Sequence, residues 1–312
     1  MPIAVDAPLP PGLSDTRTLA DLLRWRVALT PDAEAYRHCE PGSADWRSLS
    51  WREIGARIDH FAAALAATNL PLGARVAILL PNGVDAVCID QASLATGCVP
   101  VPMHAIDNPA SIAYILRDSG ASLLVTQTEA QWQAIAAVGE ALPALRQVVV
   151  QEQGEAHAAD TSGSVPVFTL ERWLAQASQT SPAKRPAPGA NDLAAIVYTS
   201  GTTGKPKGVM LTHENVLSNV KAVCQRIAPQ SSDVFLSFLP LSHTFERTAG
   251  YYLPIAAGAC VAFARSTSLL AEDLLTVRPT ILISVPRIYE RVHAGVQALL
   301  ADAPLKQRLF TW

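Results

Sequence analysis

Clustered basic residues are missing from this chain, and positive charge is in slight deficit: 24 lysines and arginines against 27 aspartates and glutamates give a formal net charge of −3. A polyanion is bound by a concentrated excess of cations, so this balance argues against nucleic acid as a partner. Long apolar runs are missing too. Residues 92–103, interrupted by Gly97 and Pro100, fall short of a membrane span. The first residues, MPIAVDAPLPPGLSD, have no basic start followed by an apolar core and do not read as a signal peptide. Cysteine is sparse. Cys39, Cys88, Cys98, Cys224 and Cys260 are odd in number, widely spaced and mostly inside apolar stretches, so they show neither a disulfide framework nor metal-ligand spacing. Buried thiols in a reducing compartment follow. These absences lead to a soluble, cytoplasmic protein, and they leave open both peripheral contact at the inner membrane face and a homodimer.

What is present is apolar substance. Hydrophobic residues make up 49% of the chain and charged ones only 16%, which suits a well-buried core. A length of 312 residues exceeds a single-core domain, so two lobes are expected, 1–191 and 192–312. The spacing of Leu19, Leu22, Leu23 and Val27 predicts a helix over 18–29, and Ile54, Ile58, Phe61 and Leu65 place a longer one after a short strand at 47–51. From residue 75 strands and helices alternate: strands at 76–80, 99–103, 122–127 and 147–151, with helices at 83–96, 109–118 and an alanine-rich stretch before the last strand. The rhythm resumes with strands at 193–197, 234–239, 260–264 and 281–285 and helices at 213–227, 245–256, 269–277 and from Pro286 onward. Alternation of this kind predicts an α/β fold, a layered sandwich of mostly parallel sheets flanked by helices. Residues 154–163 read as a surface loop and 180–192 as a linker.

One stretch stands apart from this pattern. Residues 198–209 read YTSGTTGKPKGV, with Gly201, Gly204 and Gly208, the hydroxyls of Thr199, Ser200, Thr202 and Thr203, and Lys205 and Lys207. Glycines allow close approach of main-chain N–H groups to an anion, hydroxyls add donors, and lysines neutralise charge. The spacing is not that of a Walker A loop, because only two residues separate Gly201 from Gly204 and Pro206 follows Lys205. A flap joining two strands fits better than a helix N-terminus. By composition alone the stretch suits a phosphate cradle or a solvated basic turn.

Two further strings carry candidate chemistry. FLPLSHTFERTAG, residues 238–250, follows a predicted strand end, where open α/β sheets place ligands. His243 there is either a packing residue or an imidazole offered to a ligand. Glu246 and Arg247 read as a solvated pair, and Tyr251 to Pro254 as helix core. SVPRIYERV, residues 284–292, reads as a strand end and helix start, with Pro286 at the first helical position and Arg287 spaced to pair with Glu290.

Taken whole, YTSGTTGKPKGV resembles the signature loop of the adenylate-forming superfamily of acyl-CoA synthetases, peptide-synthetase adenylation domains and luciferases. Residues 95–125 are similar to that family's second core region, and the His-Thr-Phe-Glu-Arg string is similar to its long-chain fatty-acid–CoA ligase branch. The resemblance implies an AMP-forming ligase that uses ATP and Mg²⁺ to activate a fatty acid and passes the acyl group to coenzyme A. It implies that Thr199, Ser200, Gly201, Thr202, Thr203, Gly204, Lys205, Lys207 and Gly208 hold the phosphates, with Thr199 near the metal. His243 would position the acyl carboxylate or adenylate, and Leu241 and Phe245 would line the acyl entry. The family pattern continues past residue 312 with an adenine-binding segment, a ribose-binding aspartate, a hinge and a small domain bearing a catalytic lysine. The resemblance therefore implies the N-terminal part of such a ligase, inactive by itself. An acyl-AMP or aryl-CoA ligase, and a non-catalytic nucleotide- or acyl-binding half-module, remain as alternatives.

Overall fold

The computed structural model describes residues 7–40, 42–152, 165–176, 187–200 and 205–300. The expected loop over 154–163 and part of the expected linker fall outside the described residues. The strands are β1 (Glu34–Cys39), β2 (Trp46–Ser50), β3 (Arg75–Leu79), β4 (Val99–Pro102), β5 (Ala121–Thr126), β6 (Gln147–Val150), β7 (Val167–Thr169), β8 (Leu193–Thr199), β9 (Lys207–Thr212), β10 (Val234–Ser237) and β11 (Cys260–Phe263). The α-helices are α1 (Leu19–Leu29), α2 (Trp51–Ala67), α3 (Val84–Ala95), α4 (Pro109–Ser119), α5 (Glu129–Ala136), α6 (Leu170–Ala175), α7 (His213–Ile227), α8 (Leu253–Ala257), α9 (Leu270–Val277) and α10 (Pro286–Leu300).

Among the described residues these strands form three sheets. One runs β4-β3-β5-β6-β7, all parallel. A second runs β10-β11-β1-β2, parallel except where β1 meets β2. The third is the antiparallel hairpin of β8 and β9. Strand side chains alternate between faces, and the two large sheets show where each face goes. Val76 and Ile78 of β3 point into a central core with Ile54, Ile58 and Val87 of α2 and α3, whereas Ala77 and Leu79 point into an outer core with Ile112, Ile115 and Leu116 of α4. In the second sheet Phe235, Val261 and Phe263 face the same central core, and Leu236 and Ala262 face outward toward Val277 of α9. Helices thus fill the space between two sheets and cover their outer faces. A parallel sheet buried on both sides needs this arrangement.

Local signals start the helices where the periodicity begins. Thr18, Ser50 and Thr212 each cap a helix N-terminus reciprocally with Asp21, Glu53 and Asn215, satisfying donors that the first turn leaves unpaired. Besides β7 and α6, for which the sequence pattern gives no element, two departures from the expectation stand out. The strand β1, sequence EAYRHC, has no apolar run to announce it; it is held by β2 on one side and β11 on the other, with Tyr36 fully buried and stacked on Phe263. Residues 281–285 form no strand. Thr280 and Ile281 both donate to the Val234 carbonyl, a single bridge joins Ile281 to Phe235, and the chain then turns into α10 at Pro286 before a ladder can extend.

Arg26 joins the first helix to the far end of the chain. Its guanidinium is buried and donates to the carbonyls of Ile255 (2.8 Å) and Ala256 (2.6 Å) at the C-terminal end of α8. Those carbonyls have no partner inside the helix, and a cation suits the negative end of its dipole. Gly258 follows with φ 78°, and a Cβ there would come within 2.7 Å of the Arg26 guanidinium. Burial pulls the Arg26 pKa down to about 10, still charged at neutral pH. Arg26→Ala should lower unfolding stability by about 3 kcal/mol, the worth of two charge-assisted bonds and the desolvated carbonyls they leave. Urea denaturation checks this, and a shift below about 0.5 kcal/mol would show that water replaces the arginine.

Candidate functional site

The sites at issue lie where strands end. Asn82 follows β3, His104 follows β4 and His243 follows β10, so three loops leave the carboxyl ends of parallel strands, where open α/β sheets bind ligands. The His243 ring is exposed, and its centroid lies 6.0 Å from that of His104, the planes tilted by 50°. His104 Nδ1 in turn lies 3.6 Å from the Asp107 carboxylate. Leu241 is half buried against the central core, whereas Phe245, two residues after His243, is 53% exposed.

Behind His243 the chain enters a seven-residue π-helical segment, Glu246–Tyr252, which continues into α8. Wide turns of this kind are rare and recur at functional sites. Glu246 and Arg247 are not the solvated pair their sequence suggests: they are 1% and 4% exposed. Arg247 donates to Asp90 of α3 at 2.7 Å and to the Tyr252 hydroxyl at 2.8 Å, and both tyrosine hydroxyls lie 3.2 Å from the other Asp90 oxygen. Gln91 donates to Tyr251 at 2.7 Å. The two tyrosine rings stack at 4.4 Å, and burial above all drives both phenol pKa values well up. Glu246 accepts from Ser237 at 2.8 Å through one oxygen, while its other oxygen is buried without a partner. Gly250 packs directly against the Glu246 carboxyl, which would have to shift to admit a Cβ there. Tyr251, Tyr252, Leu253 and Pro254 are buried, as expected of helix core.

The glycine-rich stretch connects β8 to β9, the strand-to-strand placement expected of it. Gly201, Thr202, Thr203 and Gly204 lie outside the described residues. Thr199 ends β8 opposite Lys207 of β9, and both are exposed, as is Ser200. Tyr198 donates to Asp118 of α4 at 2.7 Å, and Lys205 Nζ lies 5.7 Å from the Tyr114 ring centroid on the same helix. Burial first, then the Asp118 carboxylate, holds the Tyr198 phenol well above its ordinary pKa. Gly208 sits opposite Tyr198, where a Cβ would lie 2.9 Å from Ile196 and 3.1 Å from the phenol ring. The hairpin is therefore tied, one residue pair below its tip, to the helix that follows the His104 loop. Its tip offers hydroxyls and two ammonium groups, a donor set that suits phosphate oxygens. Among the described residues no group of three or more His, Cys, Asp or Glu side chains is arranged to hold a metal ion.

On α10, Arg287, Glu290 and Arg291 are exposed. Asn82, His104, Asp90 and Asp118 escaped the sequence reading. Asn82 sits in a Pro-Asn-Gly turn, and the other three lie inside stretches that read as ordinary βα units; only the approach of distant segments gives them partners.

The fold is a sandwich of two mostly parallel sheets, with a separate antiparallel hairpin and a histidine after the carboxyl end of a strand. The chain matches the family model described as AMP-binding enzyme over residues 23–309, and it belongs to that family. Over 270 residues it is 32% identical to long chain acyl-CoA synthetase 6, peroxisomal, of Arabidopsis thaliana, covering 85% of this chain and 38% of that protein. It is 29% identical over 318 residues to the long-chain-fatty-acid–CoA ligase FadD15 of Mycobacterium tuberculosis, covering 99% and 50%. The crystal structure of a long-chain-fatty-acid-CoA ligase, FadD1, from Archaeoglobus fulgidus superposes with a TM-score of 0.76 at 23% identity, covering 94% of this chain and 56% of that one, and shares its fold. The chain spans about half the length, or less, of these relatives. Among the described residues no helix is long and apolar enough to cross a membrane.

Burial raises the Glu246 pKa to about 7, the Ser237 hydrogen bond opposing it only in part. Between its unfolded value near 4.5 and 7 the folded state keeps a proton that the unfolded chain has released, so stability falls as pH rises through this window. From pH 5.5 to 8.5 the protein should lose about 2 kcal/mol that Glu246→Gln does not lose. Parallel stability profiles for the two proteins would refute this.

Proposed function

We propose that this chain carries the ATP-phosphate loop and the acyl-entry side of an AMP-forming long-chain fatty-acid–CoA ligase. In this reading the whole protein joins ATP and a fatty acid into an acyl-adenylate with release of pyrophosphate, and then transfers the acyl group to coenzyme A. The observation that carries the reading is the hairpin tip: Thr199, Ser200, Lys205 and Lys207 at the junction of β8 and β9, anchored through Tyr198 to Asp118. Membership in the AMP-binding family and the long-chain ligases among its relatives support the choice of reaction.

A fatty-acid carboxylate is a weak nucleophile, and the phosphorus it attacks is screened by negative oxygens. Rate therefore depends on neutralising that charge and on aligning the two groups. Lys205 and Lys207 supply the positive charge, and the hydroxyls of Ser200, Thr202 and Thr203 with the amides of Gly201, Gly204 and Gly208 orient the phosphates. A magnesium ion would be held mainly by those phosphates and water and would supply further positive charge, with Thr199 as its candidate protein ligand. His243, set beside His104, positions the acyl carboxylate, while Leu241 and Phe245 border the entry of the acyl chain. Phe245 has the exposed apolar surface such an entry needs.

Replacing Lys205 and Lys207 together by alanine should weaken Mg·ATP binding by on the order of 100-fold, the equivalent of about 3 kcal/mol from two charged contacts. Isothermal titration of the whole protein and the variant checks this, and equal affinities would remove the loop from nucleotide binding. With ATP, magnesium and palmitate the whole protein should release pyrophosphate, and coenzyme A should accelerate AMP release. Indifference to coenzyme A would instead identify an enzyme that stops at the acyl-adenylate.

A further inference from the structure

His243 rides on a loop with few bonds of its own. Its amide donates to Pro240 (2.9 Å), and its carbonyl accepts from Arg247 (3.0 Å), both within the same segment. Beyond the Arg247–Asp90 bond at its far end, what ties that segment to the rest of the protein comes from another strand end. The Asn82 side chain donates through Nδ2 to the Leu239 carbonyl at 2.7 Å and to the Ser237 hydroxyl at 3.0 Å, and it accepts the Leu241 amide at 3.0 Å through Oδ1. The Ser237 hydroxyl in turn donates a hydrogen bond to Glu246 at 2.8 Å. The amide thus bonds the loop before His243 on both of its atoms, and the serine carries the connection to the π-helical segment after it. Asn82 is only partly exposed, and an amide is the side chain that can give and take at once in this geometry.

We propose that Asn82 is a positioning residue that fixes the Leu239–Leu241 backbone and, through Ser237 and Glu246, holds His243 against His104. The proposal deepens the ligase reading above and rests on it for its kinetic consequence. It does not rest on that reading for the clamp itself. Asn82 does not touch the reacting groups; removing it frees the loop while leaving the His243 ring chemically intact. Aspartate in its place keeps an acceptor for the Leu241 amide but cannot donate to the Leu239 carbonyl, so it restores the clamp only in part.

Two readouts on the whole protein test the idea. In hydrogen–deuterium exchange, Asn82→Ala should speed exchange of the Leu241 amide by at least tenfold while amides of β3 and β10 keep their protection, and Asn82→Asp should fall between the two. Unchanged exchange at Leu241 would overturn the clamp, and loss of protection throughout β3 and β10 would show that Asn82 merely supports the fold. In steady-state kinetics, Asn82→Ala should lower kcat for pyrophosphate release by at least tenfold with the KM for ATP within twofold of wild type. Faster loop exchange with unchanged kcat would overturn the positioning role and leave the ligase reading intact. An inactive wild-type protein would instead count against the ligase reading, while the exchange data would still decide whether Asn82 holds the loop.

Discussion

Two opposite charges sealed away from water set the geometry of this protein's middle. Asp90 on α3 and Arg247 behind the His243 loop are 157 residues apart in sequence and 2.7 Å apart in space. Taking such ions out of water costs several kcal/mol each, and the loss is offset only if every lone pair and proton finds a partner. Here both carboxylate oxygens are occupied: one by the guanidinium, the other by two stacked tyrosine hydroxyls. Adjacent residues on an α-helix diverge, and the wider π turn is what lets Tyr251 and Tyr252 converge on one acceptor. The helical distortion and the buried pair therefore require each other.

The position of α3 explains why this pair matters beyond its own bonds. Nearly every residue of that helix is buried, since it lies in the central layer between the two sheets. A polar contact from its interior to the segment after β10 therefore aligns the two sheets through a rigid element, not through surface loops. Asn82, immediately before the same helix, adds a second tie to the loop after β10. The strand ends that carry His104 and His243 are set relative to one another by a single buried helix and its leading turn.

Much of this architecture could be read from the chain. Strand and helix alternation, the proline at the head of α10 and the strand-to-strand placement of the glycine-rich loop all depend on neighbours within a few residues. The misreadings share the opposite property. Glu246 and Arg247 are adjacent charges on a helix, which read as solvent-facing until Asp90 and Ser237 arrive from other strands and helices. Strand β1 has no apolar periodicity because pairing on both edges, not side-chain alternation, defines it. Residues 281–285 have the right composition for a strand but lose the ladder to a proline-led helix. In the candidate site, the hairpin and His243 were legible as motifs, whereas Asn82 and His104, which tie and face them, were not.

The hairpin of β8 and β9 pairs with no other strand among the described residues. Two strands alone can slide past each other, and a slip of one residue would put Thr199 and Lys207 on opposite faces. Gly208 prevents this. Only a residue without a side chain fits between Ile196 and the Tyr198 ring, and Tyr198 is itself pinned to Asp118. Val209 on one side and Lys207 on the other would each bring a Cβ into that gap. The pair Tyr198 and Gly208 therefore works as a notch and tooth, so that the two strands meet in one register every time the protein folds.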